Sequence, residues 1–200
     1  MLLVPHVQGA ITLDGDLDDP GWLGPVAHSG AFSDKTGDIA KPYSAARFAW
    51  GDGELYVSLY AADQDIRAVA ENPADVWKDD SFHVVFDDGA NERIFDVSAK
   101  AKLATSTRPS RFAMKGDRPA ASAWESGAHA SVELDGTPNK SDDNDEEWNI
   151  EMAIPLSSLG LKGNPGERLS FAAHRCDSPK NAPRSCGSYG ERTPITLVLQ

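Results

Sequence analysis

The stretch Trp77-Lys78-Asp79-Asp80-Ser81-Phe82-His83-Val84-Val85-Phe86-Asp87 decides the fold class of this chain. A tryptophan and two acidic residues precede a run in which the apolar residues Phe82, Val84 and Phe86 occupy every second position. Because the side chains of a strand point alternately to its two faces, the run predicts a β-strand with one buried face and one open face.

The same alternation recurs in short runs separated by Gly, Pro, Asp and Asn. Gly51-Asp52-Gly53 lies between two such runs and predicts a β-hairpin. No run keeps a helical period, although residues 155–159 suit a single helical turn. Short strands separated by turns are typical of an all-β sandwich, with long polar loops at residues 108–123 and 135–147. The predicted strands are residues 11–13, 47–50, 54–60, 82–87, 94–98, 128–134, 148–154, 169–175 and 195–199.

Length and composition indicate one globular domain over residues 1–200. The chain has 40% hydrophobic and 25% charged residues, which is ordinary for a folded domain of 200 residues. Its net charge of −12 disfavours a nucleic-acid partner, since phosphates would repel it. No apolar run reaches the roughly 20 residues that span a bilayer. The opening residues are too short for a secretory signal, so either the protein is cytosolic or a leader precedes this sequence.

Cys176 and Cys186 are the only cysteines. A disulfide would close the short loop between them and stabilise the fold by roughly 3 kcal/mol. Free thiols remain the alternative, while a metal site lacks the usual CxxC spacing or histidine pair. A bridge would indicate an oxidising compartment.

Asp14, Asp16 and Asp18 form an alternating carboxylate run that could ligate calcium, which prefers six to eight oxygen ligands. The run lacks the glutamate of an EF-hand loop. The alternative is a solvated turn with Trp22 packed under the sandwich. The acidic run at residues 141–147 leaves the same two interpretations open.

Trp77 lies at a loop–strand junction, where an aromatic ring can stack on a sugar or cap the core. His83 and Asp96 point away from the core on strands that could be neighbours, so they are either solvated or part of a binding surface. The sequence contains none of GxSxG, HExxH or a glycine-rich phosphate loop, and we expect no enzymatic activity.

Four blocks together resemble carbohydrate-binding module family 9 and its family-9-like relatives over nearly the whole chain. They are the opening Ile11-Thr12-Leu13-Asp14-Gly15-Asp16-Leu17-Asp18-Asp19-Pro20-Gly21-Trp22, the strand Leu55-Tyr56-Val57, the stretch from Trp77 to Asp87, and Trp148-Asn149-Ile150-Glu151-Met152-Ala153-Ile154-Pro155. The blocks occur in the family's order with compatible spacing.

The resemblance implies a jelly-roll-like sandwich of two antiparallel sheets, often with calcium, in secreted systems that degrade polysaccharides. It also implies a sugar clamped between two tryptophans. Trp77 matches the first tryptophan, and Tyr189 is the nearest aromatic to the second. His83 stands where the family has glutamate, and Asp96 where it has arginine. The two charged side chains that bind the sugar hydroxyls in the family are therefore both replaced.

We therefore expect a non-catalytic, monomeric module that binds a saccharide through Trp77, His83, Asp96 and Tyr189. We expect it to be secreted, periplasmic or on the cell surface. Two other functions stay open. A haem-binding accessory domain would need better ligands than Met114 in a loop and Met152 on an apolar strand face. A structural or docking domain would have Trp77 packed against its own loop.

Overall fold

The computed structural model describes residues 1–114, 117, 119–140, 142–179, 183–191 and 193–200. In these residues two β-sheets enclose a shared apolar core, which confirms the predicted all-β sandwich. Among the residues that the structure describes, helix is limited to one short α-helix and two 3₁₀ helices. These are α1 (Pro20–Leu23) and the 3₁₀ helices at Pro73–Lys78 and Leu156–Leu159, the second of which is the predicted single turn.

The larger sheet has eight strands in the order β1-β13-β11-β5-β6-β7-β8, and β12 pairs with β11 alongside β13. Its pairs are antiparallel except that β1 runs parallel to β13. The strands are β1 (Leu2–Val4), β5 (Ser81–Asp87), β6 (Asn91–Ser98), β7 (Leu103–Pro109), β8 (Ser122–Ala123), β11 (Arg168–Asp177), β12 (Ser185–Tyr189) and β13 (Ile195–Leu199).

The smaller sheet has five antiparallel strands in the order β2-β3-β4-β10-β9. A two-residue turn joins β3 to β4 at the predicted hairpin. Asp52 and Gly53 both have positive φ angles, 52° and 84°, as this tight hairpin turn requires. The strands are β2 (Ala27–His28), β3 (Ser44–Gly51), β4 (Glu54–Ala62), β9 (His129–Asp135) and β10 (Glu147–Pro155).

Aromatic side chains from both sheets meet in the core. Phe82 on β5 contacts Trp148 on β10 edge to face, with ring centroids 5.2 Å apart, and both side chains are fully buried. Phe48 on β3 contacts Phe171 on β11 in the same way at 4.8 Å. Each fully buried side chain of this kind contributes about 1.5–3 kcal/mol, so the core fixes which face of each sheet points inward.

The prediction of a strand at residues 11–13 is wrong. This segment crosses the outer face of the smaller sheet, where its backbone bonds to side chains: the Thr12 N–H donates to Asp19, and the Leu13 carbonyl accepts from Ser131. Strands β1, β2, β7, β8 and β12 were not predicted from the sequence. In the described part of the chain, no helix is long and apolar enough to cross a membrane.

Candidate functional site

The outer face of the larger sheet presents the polar residues of β5 and its two neighbours. His83 on β5 lies directly opposite Asp96 on β6 and opposite His174 on β11. Residues that face one another across adjacent strands share one side of the sheet. Phe82 and Val84, which flank His83, are fully buried, so all three polar side chains lie on the solvent side.

His83 and Asp96 form a close pair, as the sequence suggested. The His83 Nδ1 is 2.6 Å from the Asp96 Oδ1, and the two side chains are 40% and 36% exposed. Because a carboxylate only accepts, Nδ1 carries a proton, and in the tautomer with that one proton Nε2 is a hydrogen-bond acceptor. The pair can therefore accept from sugar hydroxyls at Nε2 and at the carboxylate.

His174 completes this surface, and sequence reasoning missed it. Its ring centroid lies 5.9 Å from that of His83. Burial lowers the pKa of His174, Glu191 opposes that shift, and His83 adds to it. The only sequence signal was its polar position directly after Ala172 and Ala173 in a predicted strand. Pairing of β11 with β5, which the sequence does not state, brings it to the site.

Trp77 is exposed on a helix that packs against the strands of this surface. Its side chain is 65% exposed and belongs to the 3₁₀ helix Pro73–Lys78, which packs against β5, β6 and β7. The Lys78 ammonium lies 5.5 Å from its ring centroid. This exposure does not match the docking-domain alternative, which required Trp77 to be packed against its own loop. An exposed indole held on a short helix can stack on a ligand.

Tyr189 occupies a different environment from the one expected of a clamp residue. It lies opposite the fully buried Ala173, so its side chain points toward the core. Its ring stacks on Phe32 with centroids 5.8 Å apart and approaches Phe171 at 6.2 Å. Burial raises its pKa. Tyr189 thus packs against core residues, whereas Trp77 is exposed.

A loop covers the other half of this outer face. The Ser110 hydroxyl donates to Asp87 at 2.7 Å, and Arg111 and Val85 line the same small crevice. Ile94 on this half is only 3% exposed. The open part is therefore the half that carries His83, Asp96 and His174.

Asp14, Asp16 and Asp18 are all exposed, and the structure does not bring them together as metal ligands. The Asp14 carboxylate instead accepts the N–H of Asp16 at 3.0 Å. Trp22 is 3% exposed, as the alternative of a packed tryptophan under a solvated turn predicted. Residue 141 of the second acidic run lies outside the described residues.

A different acidic group has the geometry of a cation site. Asp63, Asp80 and Asp177 are buried with ligand oxygens within 4.8 Å of one another, the one such group among the described residues. The Arg175 Nη2 lies 2.7 Å from Asp63 and 3.5 Å from Asp177. Burial raises the pKa of Asp80 to about 7, and the Asp63 charge adds to the rise. Arg184 also interacts electrostatically with Asp80 and Asp177, so two guanidiniums accompany the three carboxylates. The carboxylate oxygens are of the ligand type that calcium prefers.

Two other predictions concern Cys176, Cys186 and the methionines. The disulfide is confirmed: Cys176 and Cys186 face each other on β11 and β12, with their Cα atoms 4.2 Å apart. Met152 is fully buried in the core, and Met114 lies in a loop. Neither methionine lies on the strands that carry His83 and His174.

The comparisons with known proteins agree with this architecture. The model of the carbohydrate family 9 binding domain-like family matches residues 13–187. A search with the sequence finds no match among curated proteins. A candidate carbohydrate-binding protein from Bacteroides uniformis aligns with TM-score 0.70 and 18% identity, over 100% of this chain and 98% of that one.

Two further similar structures are of a family 9 carbohydrate-binding module from Caldicellulosiruptor kristjanssonii. The complex with cellotriose aligns with TM-score 0.65 and 14% identity, over 99% of this chain and 93% of that one. The complex with glucose aligns with TM-score 0.66 and 15% identity, over 99% and 95%. At these identities the likeness shows a shared fold.

Proposed function

The chain belongs to the carbohydrate family 9 binding domain-like family, and from that premise we propose that it binds a saccharide on the open half of the larger sheet without catalysing a reaction. The observation that carries the proposal is the His83–Asp96 pair on the open half of the sheet, together with an exposed Trp77 on the 3₁₀ helix that packs against the same strands. The ring supplies an apolar platform for the CH groups of a sugar, and the pair supplies acceptors for its hydroxyls. The related module bound to glucose and cellotriose supports this ligand class.

Binding should be weak. One stacked ring and a few hydrogen bonds replace contacts that sugar hydroxyls already make with water, so the net free energy is about 4–7 kcal/mol. The departure from the family at His83 and Asp96 replaces a carboxylate and a guanidinium by an imidazole and a carboxylate. It removes the permanent positive charge of the family pattern, which disfavours acidic sugars.

The test is a calorimetric titration with a panel of neutral and acidic mono- and oligosaccharides. We expect at least one neutral sugar to bind saturably, and Trp77→Ala to lower its affinity at least tenfold. Tyr43→Ala is the matched control, because Tyr43 is an exposed aromatic residue of the segment that leads into the smaller sheet. A flat response to the whole panel by folded protein would refute the proposal, as would equal affinities of the Trp77→Ala variant and the wild type.

We propose that the calcium expected from the family is held by Asp63, Asp80 and Asp177 rather than by Asp14, Asp16 and Asp18. The bound ion would supply positive charge to a buried, acid-rich cluster. Calcium at 100 times its Kd would stabilise the fold by about 2.7 kcal/mol. Thermal unfolding in EDTA and in calcium checks this: the shift should vanish in Asp80→Asn and persist in Asp16→Asn. A shift that vanishes only in Asp16→Asn would assign the calcium to Asp14, Asp16 and Asp18 instead.

The disulfide and the family together support a location outside the cytoplasm, where disulfides persist. Labelling of free thiols in protein from its native host, without reductant, checks this. Labelled Cys176 and Cys186 would contradict it.

A further inference from the structure

The polar surface at His83 continues across the sheet as a single row of side chains. Asp96 faces His83, His83 faces His174, and His174 faces Ser188 on the edge strand β12. Ser33 then pairs with Ser188 through two backbone hydrogen bonds of 2.7 and 2.8 Å. Because facing residues share one side of a sheet, these five side chains lie in one line on the solvent side.

The row is longer than one sugar ring. Adjacent strands lie about 4.7–4.9 Å apart, so the three strand spacings from Asp96 to Ser188 measure about 14 Å. The 3₁₀ helix that carries Trp77 packs against β5, β6 and β7, at the Asp96 end of this row. A sugar stacked on Trp77 therefore leaves His174 and Ser188 uncovered.

A cavity lies at the far end of the row. It has a volume of about 350 Å³, and its walls include Ser33, Lys35, Ser188, Glu191 and Thr193. Glu191 lies close enough to His174 to oppose the lowering of its pKa, which connects the cavity to the row. The walls carry hydroxyls and charges of both signs, a lining that suits a neutral polyhydroxylated ligand.

We propose that His174, Ser188 and the cavity beside Glu191 form additional subsites, so that the chain takes a neutral oligosaccharide laid across the strands of the larger sheet. This inference rests on the proposed function, since the first sugar of the chain occupies the site at Trp77, His83 and Asp96. The ligand differs from a single terminal sugar held in an aromatic clamp. Tyr189 lies at this end of the row, where its ring stacks on Phe32 and the residue also lines the cavity.

The test is the dependence of affinity on the length of the sugar chain. Calorimetry would compare glucose, cellobiose and cellotriose, and the corresponding one-, two- and three-unit series of xylose and mannose. In the series that binds, we expect affinity to rise at least tenfold from one unit to three. Glu191→Ala should remove most of this rise while leaving the one-unit affinity within about twofold, and His174→Ala should also remove most of the rise.

His28→Ala is the matched control, because His28 is an exposed histidine on the smaller sheet, and it should keep the full rise. Thermal unfolding verifies that each variant is folded. Wild-type affinity that does not change with chain length would overturn the subsites while the proposed function stands. A rise that survives in both variants would also overturn them. If no member of any series binds, both the saccharide site and the subsites are refuted. If only three-unit ligands bind and His174→Ala abolishes that binding, the subsites are supported.

Discussion

The two outer faces of the sandwich use the same residue types for opposite purposes. On the smaller sheet the opening segment covers the face, and its Trp22 is only 3% exposed. On the larger sheet half of the face stays open, and the neighbouring Trp77 is 65% exposed. Each tryptophan belongs to a sequence block of the family, so a conspicuous motif alone does not separate a structural residue from a binding residue.

The acceptors on the two faces differ in the same way. Glu151 on β10 is fully buried and accepts from the backbone N–H groups of Asp14 and Gly15 at 3.0 and 2.6 Å, and from the indole of Trp22. His83 has Asp96 as a close partner and remains 40% exposed. The buried Glu151 carboxylate uses its acceptor capacity on donors of the opening segment and so fixes that segment to the sheet. The exposed His83 can accept a hydrogen bond from a ligand.

The largest expected difference between the faces is in stability. Trp22→Ala should lower the free energy of unfolding by about 3–5 kcal/mol, because it removes a buried indole and leaves a cavity. Trp77→Ala should lower it by less than about 1 kcal/mol, because the ring is mostly solvated. Urea denaturation of both variants measures the contrast. Equal losses would mean that the exposed indole also supports the fold.

Glu151→Ala should cost about 3 kcal/mol, since it leaves three donors of the opening segment without their acceptor. Glu133→Ala on the same face is the matched control. Burial and neighbouring acids raise the pKa of Glu133, so its removal should be neutral or stabilising. Urea denaturation again gives the measurement. A loss under about 1 kcal/mol in Glu151→Ala would show that the opening segment is held by packing alone.

The disulfide joins the two strands that extend the open face, β11 and β12. Replacing Cys176 and Cys186 by alanine should lower stability by about 2–3 kcal/mol, the entropy cost of a loop of this length. Reductant should destabilise the wild type by the same amount and leave the double variant unchanged. Destabilisation of the variant by reductant would assign the effect to something other than this bridge.

Periodicity predicted most of the fold because burial enforces it. Phe82, Val84 and Phe86 must point into the core, and that requirement is visible as alternation. The opening segment at residues 11–13 also alternates, but its backbone hydrogen bonds go to side chains, so the pattern was not a strand. At Gly15 the opening segment passes close to the backbone of β9. The φ angle of Gly15 is +100°, and a Cβ at this position would lie 2.1 Å from the Glu133 nitrogen.

The site could be predicted only in part. Local alternation predicted that His83 and Asp96 lie on the open face. The prediction that their strands are neighbours is confirmed by the pairing of β5 with β6. His174 lies 91 residues from His83 in the sequence, and only the pairing of β11 with β5 brings the two together. The acidic group at Asp63, Asp80 and Asp177 was missed for the same reason, because it is assembled from three separate segments.

The smallest predicted effect concerns His174, which belongs to the open face yet is partly buried. Burial lowers its pKa below the ordinary value of 6.5, so near and below that pH the unfolded chain binds more protons than the folded one. The contribution of His174 to stability should therefore be complete above pH 6.5 and decline as the pH falls toward the lowered pKa. His83 faces this ring and favours its neutral form, whereas Glu191 favours its charged form.

Replacing His174 by glutamine should flatten this part of the pH–stability profile, measured by urea denaturation between pH 5 and 8. His28→Gln, on the smaller sheet, should leave the decline in place. An unchanged decline in His174→Gln would mean that the ring is protonated as easily in the fold as outside it. That result would place His174 in solvent and leave the oligosaccharide row without a positioned imidazole at its centre.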